Sequence, residues 1–267
     1  MMVNESKRKP RGGGLFAEER RQRILSAVES RQRATVEALA AQFKVSPVTI
    51  RTDLDWLERQ GLIRRTHGGA VPADPGRVDP AFAAREGAQR AEKERIGAAA
   101  AALVQDGDTI GLDASTTALH LARNLRGKRE ITVVTNGLRV AQEIAQQPGL
   151  TVMLLGGLIR PEAMSVVGSW GEAVLDRINI GKVFVGARGF TLAEGLTDVD
   201  GEEVRLKQAL VAVAHEVVAV IDQTKWGQVG FATFCALERI QRIITVRAAP
   251  TRLVQQARRR GLTVTLV

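Results

Sequence analysis

The segment "VSPVTIRTDLDWLERQGLIRRTHGGAV", residues 45–71, contains a short helix with clear signals at both ends. Ser46 is a favourable N-cap residue, and Pro47 suits the first helical position, where a backbone N–H has no partner within the helix. Gly61 is a typical residue to close the helix. The apolar positions recur at i, i+4 and i+7 and predict one buried face: Ile50, Leu54 and Leu57.

Two further helices are predicted directly upstream. Residues 17–29 form the first, and Thr35 caps the second, which ends near Phe43. None of the three helices is long enough to be stable alone, so we expect them to pack together. In that arrangement the last two form a helix-turn-helix.

A helix-turn-helix places its second helix in the major groove of DNA, with the first turns at the base edges. Arg51 is therefore the expected base or phosphate contact. The alternative for the same pattern is a protein-interaction or RNA-binding module. The residues expected at the DNA from the helices are Thr35, Ser46, Pro47, Val48, Thr49, Arg51 and Thr52.

The run "LIRRTHGGAV" predicts a hairpin after this helix. Gly68-Gly69 can form its turn, which would place Arg64 and Arg65 beside the DNA backbone as a wing. His67 is expected to contact DNA from the wing and not a metal, because no partner residue accompanies it at ligand spacing.

The charge distribution agrees with a polyanionic partner for the first part of the chain. The net charge is +9, and residues 1–71 hold 14 basic and 8 acidic residues, against 24 and 21 in the rest. Cys235 is the single cysteine, so an internal disulfide is excluded. No secretory signal and no apolar run of transmembrane length is present, which predicts a cytoplasmic protein with a disordered basic tail at residues 1–15.

Beyond a proline-rich connector the chain alternates apolar strands with amphipathic helices. This pattern predicts an α/β domain with a largely parallel sheet covered on both faces. Ligands of such sheets bind at the carboxyl ends of the strands. The sequence contains no GxGxxG, no GxxxxGK[ST] and no Cys/His cluster, so we expect no cofactor and no metal.

Polar motifs follow four of the predicted strands and indicate a binding pocket. "DASTT" begins a helix, where backbone N–H groups and hydroxyls can bind an anion. Each motif also has a simpler explanation, such as an N-cap, a turn or a solvated lysine. The residues expected at this pocket are Asp113, Ser115, Thr116, Thr117, Asn136, Gly156, Gly157 and Lys225.

The stretches "VSPVTIRTDL" and "LERQGLIRRTHGGA" resemble the winged helix-turn-helix of the DeoR family of bacterial transcriptional regulators. Thr52 departs from the pattern, because family members commonly carry a second arginine after the position of Arg51. The later motifs resemble the DeoR sensor domain, which implies a Rossmann-like, ribose-phosphate-isomerase-like fold that binds sugar phosphates.

The same resemblance assigns roles to three further residues. Glu203 and Lys207 in "DGEEVRLKQAL" match a family pattern of an acidic pair followed by lysine, although their i,i+4 spacing also fits an ion pair on a helix surface. Arg188 stands where isomerase relatives carry a carboxylate, and a guanidinium cannot act as a general base at neutral pH. This departure from the isomerase pattern weakens catalysis, so we expect effector binding without turnover, with Arg188, Glu203 and Lys207 among the residues at the effector.

Four segments are predicted in all: the tail at 1–15, a DNA-binding domain at 16–72, a linker at 73–88 and a sensor domain at 89–267. We expect a repressor of a carbohydrate or polyol operon that a phosphorylated sugar releases from double-stranded operator DNA. Helix-turn-helix proteins read paired half-sites, which favours a homodimer or homotetramer. The alternative is an isomerase-like enzyme with a DNA-binding head.

Overall fold

The computed structural model describes residues 17–31, 33–66, 68–72 and 81–267. The chain divides into two compact units, residues 1–74 and 75–267. The predicted disordered tail, His67, and residues 73–80 of the predicted linker lie outside the described residues.

The first unit contains three helices and a three-stranded antiparallel sheet, ordered β1-β3-β2: α1 (Ala17–Arg31), β1 (Ala34–Thr35), α2 (Val36–Phe43), α3 (Pro47–Arg59), β2 (Ile63–Thr66) and β3 (Gly69–Pro72). Both predicted N-caps are confirmed. The Thr35 hydroxyl accepts a hydrogen bond from the backbone N–H of Ala38 at 3.2 Å, and Ser46 accepts one from Thr49 at 3.1 Å. The predicted apolar face of α3 is buried against α1 and α2.

The turn of the wing lies one residue earlier than predicted. Gly69 is the first residue of β3 and pairs with Thr35 and Thr66, so it is not a turn residue. Gly68 lies between the strands with a φ of +80°. A Cβ on Gly69 would stand 2.2 Å from the carbonyl oxygen of Ala34. This glycine is therefore required for the close approach of β1 and β3.

The second unit contains seven helices among the described residues: α4 (Phe82–Gly87), α5 (Arg90–Ala101), α6 (Thr116–Arg123), α7 (Leu138–Ala145), α8 (Ser169–Leu175), α9 (Gly201–Ala212) and α10 (Thr251–Arg259). Its main sheet has seven strands: β4 (Thr109–Leu112), β5 (Ile131–Thr135), β6 (Leu150–Leu154), β9 (Ile180–Val185), β12 (Ala214–Val220), β14 (Arg242–Thr245) and β15 (Thr263–Leu266).

The strand order of the main sheet is β15-β14-β12-β9-β4-β5-β6, and every neighbouring pair is parallel. The predicted parallel sheet is thus confirmed. The chain runs outward from β4 through β5 to the edge strand β6, then returns to place β9 on the other side of β4. Strand order reverses between β4 and β9, and ligands bind outside the carboxyl ends of strands at such a point.

The two faces of the sheet bury separate apolar cores. Val183 and Val185 of β9 pack into one core with Leu210 of α9, and Phe184 between them packs into the other with Leu119 of α6. This alternation follows from the period of two in a strand, and it confirms that helices cover both faces.

Two smaller sheets were not predicted. They are the hairpin of β7 (Leu158–Arg160) with β8 (Ser165–Val167), and an antiparallel sheet of β10 (Gly189–Thr191), β11 (Gly195–Asp198) and β13 (Ala232–Cys235). Their strands are too short for a hydrophobic period to show. Cys235 in β13 is buried, and burial raises the pKa of its thiol to about 12.

Helix α4 occupies part of the segment predicted as a linker. Its Phe82 is buried in the sensor core, and the backbone N–H of Phe82 donates to the carbonyl of Glu162 at 2.7 Å. Helix α4 has only six residues and follows a proline-rich sequence, so its hydrophobic period is too short to predict it. Among the described residues, no helix is long and apolar enough to cross a membrane.

Candidate nucleic-acid interface and effector site

The outer face of α3 is exposed over its first two turns. Val48, with 67% of its surface exposed, Arg51 and Thr52 lie on this face, and Thr49 is half-buried. The Thr52 hydroxyl donates to the carbonyl of Val48 at 3.1 Å. Ser46 and Pro47 at the start of α3 are also exposed. The predicted contact surface is therefore accessible in this unit.

A buried carboxylate fixes the orientation of α3. Asp53 is 1% exposed and accepts hydrogen bonds from Arg20 Nε at 2.6 Å and Arg21 Nε at 2.9 Å. The Arg21 guanidinium also stacks over the ring of Trp56, 4.6 Å from its centroid. Removing one partner of a buried ion pair is costly, so this junction holds α1 and α3 in register. Sequence analysis did not single out Asp53, which lies between two apolar positions of the buried face.

The two arginines of the wing differ in their surroundings. Arg64 is exposed on β2. Arg65 forms an ion pair with Asp55 of α3, and its backbone N–H donates to Glu58 Oε1 at 2.7 Å. Arg65 therefore ties the wing to α3, while Arg64 remains on the outer surface.

In the sensor unit, Asp113 lies at the strand-order reversal, directly after β4. It is fully buried. Its Oδ1 accepts from the backbone N–H of Ser115 at 3.1 Å, and its Oδ2 accepts from that of Gly186, after β9, at 2.9 Å. Asp113 thus joins the ends of the two central strands and shapes the loop that leads into α6.

Lys207 of α9 reaches into the same position. Its Nζ lies 2.9 Å from Asp113 Oδ2 and 2.7 Å from Asp198 Oδ2, and it donates to the carbonyl of Gly186 at 3.0 Å. Burial alone would lower the pKa of Lys207, but the charges of Asp113 and Asp198 outweigh it and raise that pKa above its ordinary value. Lys207 is therefore a fixed positive charge.

Arg188 approaches the other oxygen of Asp198. Its Nε is 3.9 Å from Asp198 Oδ1. Burial acts to raise the pKa of Asp198, but the charges of Lys207 and Arg188 overcome this effect and leave the pKa lowered. Asp198 is thus an ionised carboxylate between two cations.

Glu203 lies one turn before Lys207, and both side chains are buried, so they do not form a pair on the helix surface. Glu203 accepts hydrogen bonds from Ser165, from Arg160 Nη1 at 3.2 Å and from Asn136 Nδ2 at 3.3 Å. Asn136 Oδ1 is buried and has no hydrogen-bond partner within the described part of the chain. An unsatisfied buried acceptor of this kind is suited to a ligand hydroxyl or a water.

Two further cations lie in the electrostatic field of this cluster. Burial, together with the charges of Arg188 and Arg85, lowers the pKa of Lys225. Burial also lowers the pKa of Arg85 in α4, against the opposing charges of Asp198 and Glu203. Arg85 donates to the carbonyl of Ala163 through Nη2 at 3.5 Å.

The corner between α4 and α5 is tied to the turn that carries Lys225. Gln89 has a φ of +50°, and its side chain accepts from Gln223 Nε2 at 3.1 Å. Lys93 is buried below this corner and donates to the carbonyls of Arg85 and Ala88. Burial lowers the pKa of Lys93 to about 8.

The remaining predicted residues border the same loops. The Ser115 hydroxyl caps α6 by accepting from the N–H of Ala118 at 3.1 Å, and Thr116 and Thr117 are buried in the first turn. Gly156 and Gly157 lie between β6 and β7. Gly157 has a φ of +148°, and a Cβ there would stand 2.2 Å from the carbonyl oxygen of Val167.

Two family models match the chain. One, described as the DeoR-like helix-turn-helix domain, matches residues 20–75, and the other, described as the DeoR C terminal sensor domain, matches residues 88–247. The chain belongs to the DeoR family.

DeoR-family relatives match over nearly the full length. The HTH-type transcriptional regulator GolR of Listeria innocua is 36% identical over 250 residues, which cover 94% of this chain and 98% of that protein. The putative aga operon transcriptional repressor of Escherichia coli O157:H7 is 30% identical over 251 residues, or 93% of each chain. This DeoR-family chain is accordingly a DNA-binding transcriptional regulator.

Among solved structures, this DeoR-family chain is similar to ribose 5-phosphate isomerase A from Methanocaldococcus jannaschii. The TM-score is 0.37 at 18% identity, and the match covers 50% of this chain and 53% of that chain. A similarity at this level supports no conclusion about activity.

Sequence analysis missed several polar residues of the sensor cluster: Arg85, Lys93, Arg160, Ser165 and Asp198. Arg85 lies on the unpredicted helix α4, and Arg160, Ser165 and Asp198 lie on the unpredicted short strands. Lys93 lies on α5. The aspartate in "GLTDVDGEE" was the available signal, because an acidic residue at the end of an apolar strand is a candidate ligand contact. No group of His, Cys, Asp and Glu able to hold a metal occurs in the described ranges.

Proposed function

We propose that this DeoR-family regulator is a cytoplasmic repressor of a carbohydrate or polyol operon, and that a phosphorylated sugar or polyol releases it from DNA. The observation that supports this proposal is that Arg188 Nε lies 3.9 Å from Asp198 Oδ1 near the carboxyl ends of the central strands, with Arg85 and Lys225 within electrostatic range of the same aspartate. Cations at this position suit a phosphate, and the buried acceptors suit sugar hydroxyls.

The charges around Lys225 indicate why an anionic ligand would bind favourably at this site. Burial above all, and the charges of Arg188 and Arg85 in addition, disfavour the ammonium form of Lys225. A phosphate placed among these side chains would offset that repulsion and favour charged Lys225. Asn136 Oδ1, which has no partner within the described residues, would accept a hydrogen bond from a hydroxyl of the same ligand.

The position of Arg85 suggests how the ligand is sensed. Arg85 lies on α4, the first described element of the sensor unit after the connector from the DNA-binding unit. A ligand that binds Arg85 therefore acts on the described element that is nearest to the connector in the sequence. For release, the ligand must favour one arrangement of α4 over another, and a coupling of about 1–3 kcal/mol changes DNA affinity roughly 5–150-fold.

Binding without turnover is part of the proposal. Isomerisation of a sugar phosphate needs a general base whose pKa lies near the working pH. Asp198 is held by Lys207, and its pKa is lowered, which makes it a weak base. The name of the aga operon relative, a putative repressor, supports repression in place of activation.

The test begins with genomic DNA fragments that the purified chain retains. The affinity for a retained operator is then measured by fluorescence anisotropy with a panel of pentose, hexose and polyol phosphates and with the same compounds lacking phosphate. We expect at least one phosphorylated compound to weaken binding 5-fold or more and its unphosphorylated partner to have no effect. A response to unphosphorylated compounds alone would contradict the proposal.

Turnover is tested separately on the same panel. Purified protein is incubated with each phosphate and the products are separated by chromatography, with Asp198→Asn as the control. Interconversion by the unaltered chain, and not by the variant, would identify an enzyme and refute binding without turnover.

A further inference from the structure

Val48 is an exposed apolar residue in the first turn of α3. It is 67% exposed, and among the described residues of the first unit no other large apolar side chain is exposed. At about 100° per residue along a helix, Val48 lies roughly opposite Ile50 and Leu57 of the buried face. It therefore stands at the centre of the outer face of α3.

Thr52 extends this apolar surface by one helical turn. Residues four apart on a helix lie about 5–6 Å from each other, so Val48 and Thr52 are neighbours. The Thr52 hydroxyl donates to the carbonyl of Val48 at 3.1 Å, which turns its hydrogen back to the helix. The methyl group of exposed Thr52 is therefore left to face outward beside Val48.

The other hydroxyls at the start of α3 are also engaged. Ser46 Oγ and Thr49 Oγ1 share a hydrogen bond at 2.9 Å, and Ser46 Oγ accepts another from the backbone N–H of Thr49. Arg51 follows Val48 by three residues and carries the N–H donors of its guanidinium on the same outer face. The first two turns of α3 thus present one strong group of donors beside an apolar strip, which consists of Val48 and the Thr52 methyl group.

Helix stability does not account for Val48 and Thr52. β-Branched residues lose side-chain freedom in a helix, and exposed positions favour stronger helix formers such as alanine, glutamate and lysine. Neither residue belongs to the apolar core of this unit. Their place on the outer face instead fits contact with a partner molecule.

The chemistry of that contact follows from the major groove of DNA. Thymine displays a methyl group there that apolar side chains contact, whereas guanine presents two acceptors to arginine. Successive bases of one strand are about 3.4 Å apart along the axis, so side chains three or four residues apart on a helix reach bases within about two base pairs. A group of donors beside an apolar strip therefore matches a guanine close to a thymine.

We infer that Val48 and the Thr52 methyl group bind the 5-methyl group of thymine, within about two base pairs of the Arg51 contact in an operator half-site. This inference rests on the predicted approach of α3 to the major groove. It is independent of the effector and of the sign of regulation.

The first test replaces single thymines by deoxyuridine in one half-site of a retained operator, which removes only the methyl group. Fluorescence anisotropy with the full-length chain measures the affinity for each duplex. We expect one or two positions to weaken binding about 3- to 5-fold, the effect of burying one methyl group. Unchanged affinity for every substituted duplex, or a half-site without thymine, would overturn the inference and leave the effector proposal standing.

The second test assigns the contact to its residues. Val48→Ala should bind the thymine and uracil duplexes equally at the position that Val48 contacts. Thr52→Ser keeps the hydroxyl and removes the methyl group, so it should lose the thymine preference at the Thr52 position. Thr52→Val is the matched control, because it keeps a methyl group without the hydroxyl and should retain that preference. A thymine preference that survives in both Val48→Ala and Thr52→Ser would contradict the inference.

Arg51→Ala separates this inference from a failure of the recognition face as a whole. It should weaken binding to the thymine and uracil duplexes alike and leave the ratio of their affinities unchanged. If Arg51→Ala and Val48→Ala both bind the operator as well as the unaltered chain does, α3 does not read the DNA and the inference fails. Circular dichroism checks the fold of each variant, and the deoxyuridine test needs no variant at all.

Discussion

The ammonium of Lys207 lies 2.9 Å from Oδ2 of Asp113, and both side chains are buried. This contact joins α9 to the loop after β4 at the point where the strand order of the sheet reverses. The same ammonium lies 2.7 Å from Asp198 Oδ2, so one positive charge partly neutralises two buried carboxylates.

Replacement of Lys207 should therefore destabilise the sensor unit strongly. We expect Lys207→Met to lower the free energy of unfolding by about 3–5 kcal/mol, because the two buried carboxylates of Asp113 and Asp198 lose the cation that they share. Urea unfolding followed by circular dichroism measures the change. Arg205→Met on the same helix removes only an exposed pair with Glu172 and should cost less than about 1 kcal/mol. Equal costs for the two variants would contradict this assignment.

Arg51 is predicted to contact bases or phosphates from the exposed face of α3. Arg51→Ala should weaken operator binding by about 1–3 kcal/mol and relax sequence preference at one position if Arg51 reads a base. Competition assays with single-base operator variants test this prediction. Arg247→Ala, an exposed arginine of the sensor unit, serves as the control. Undiminished binding by Arg51→Ala would show that the recognition surface is elsewhere.

Arg64 is predicted to contact the DNA backbone from the wing. Arg64→Ala should weaken binding to all duplex sequences alike and reduce the slope of log affinity against log salt by about 1. Titrations at several salt concentrations provide the slope. Arg65 is a useful comparison, because its ion pair with Asp55 ties the wing to α3, so Arg65→Ala should also lower the unfolding temperature. An unchanged salt slope in Arg64→Ala would exclude a phosphate contact.

Arg85 is predicted to couple the effector to DNA release. Arg85→Ala should remove most of the weakening of operator binding that the releasing compound causes, and leave operator affinity without that compound nearly unchanged. Anisotropy titrations with and without the compound separate the two quantities. Arg95→Ala, an exposed arginine on α5, is the control and should respond normally. A normal response in Arg85→Ala would place sensing elsewhere in the site.

Lys93 should make stability depend on alkaline pH. Burial lowers the pKa of folded Lys93 to about 8, below the ordinary lysine value of 10.5. Between these two values the unfolded chain binds one proton more than the folded chain, so the free energy of unfolding rises with pH. Relative to Lys93→Met, the unaltered chain should gain up to about 1.4 kcal/mol per pH unit from pH 8 to 10. A constant difference across this range would show that folded Lys93 stays protonated.

The sequence predicts the regular elements well because their signals are local. Ser46 and Thr35 identify the helix starts through their own side chains, and the strand from Ile131 to Thr135 is a run of β-branched residues. These patterns depend only on neighbours in the chain. The parallel sheet follows from the alternation of such strands with helices.

The polar cluster could be predicted only in part. Asp113 and Lys207 were named from motifs, but their contact joins residues that are far apart in the chain, and no local period reports it. Arg85 lies on a six-residue helix behind a proline-rich segment, so composition alone suggests a linker there. The pairing of Asp53 with two arginines of α1 is likewise visible only after the helices pack.

The buried thiol of Cys235 has a practical consequence for measuring conformational switching. Its raised pKa, about 12, and its burial leave almost no reactive thiolate at neutral pH. A cysteine introduced at exposed Val48 would therefore accept a spin label or fluorophore selectively in an otherwise native chain. Distances between two such labels in one assembly would report the separation of the recognition helices before and after a metabolite binds.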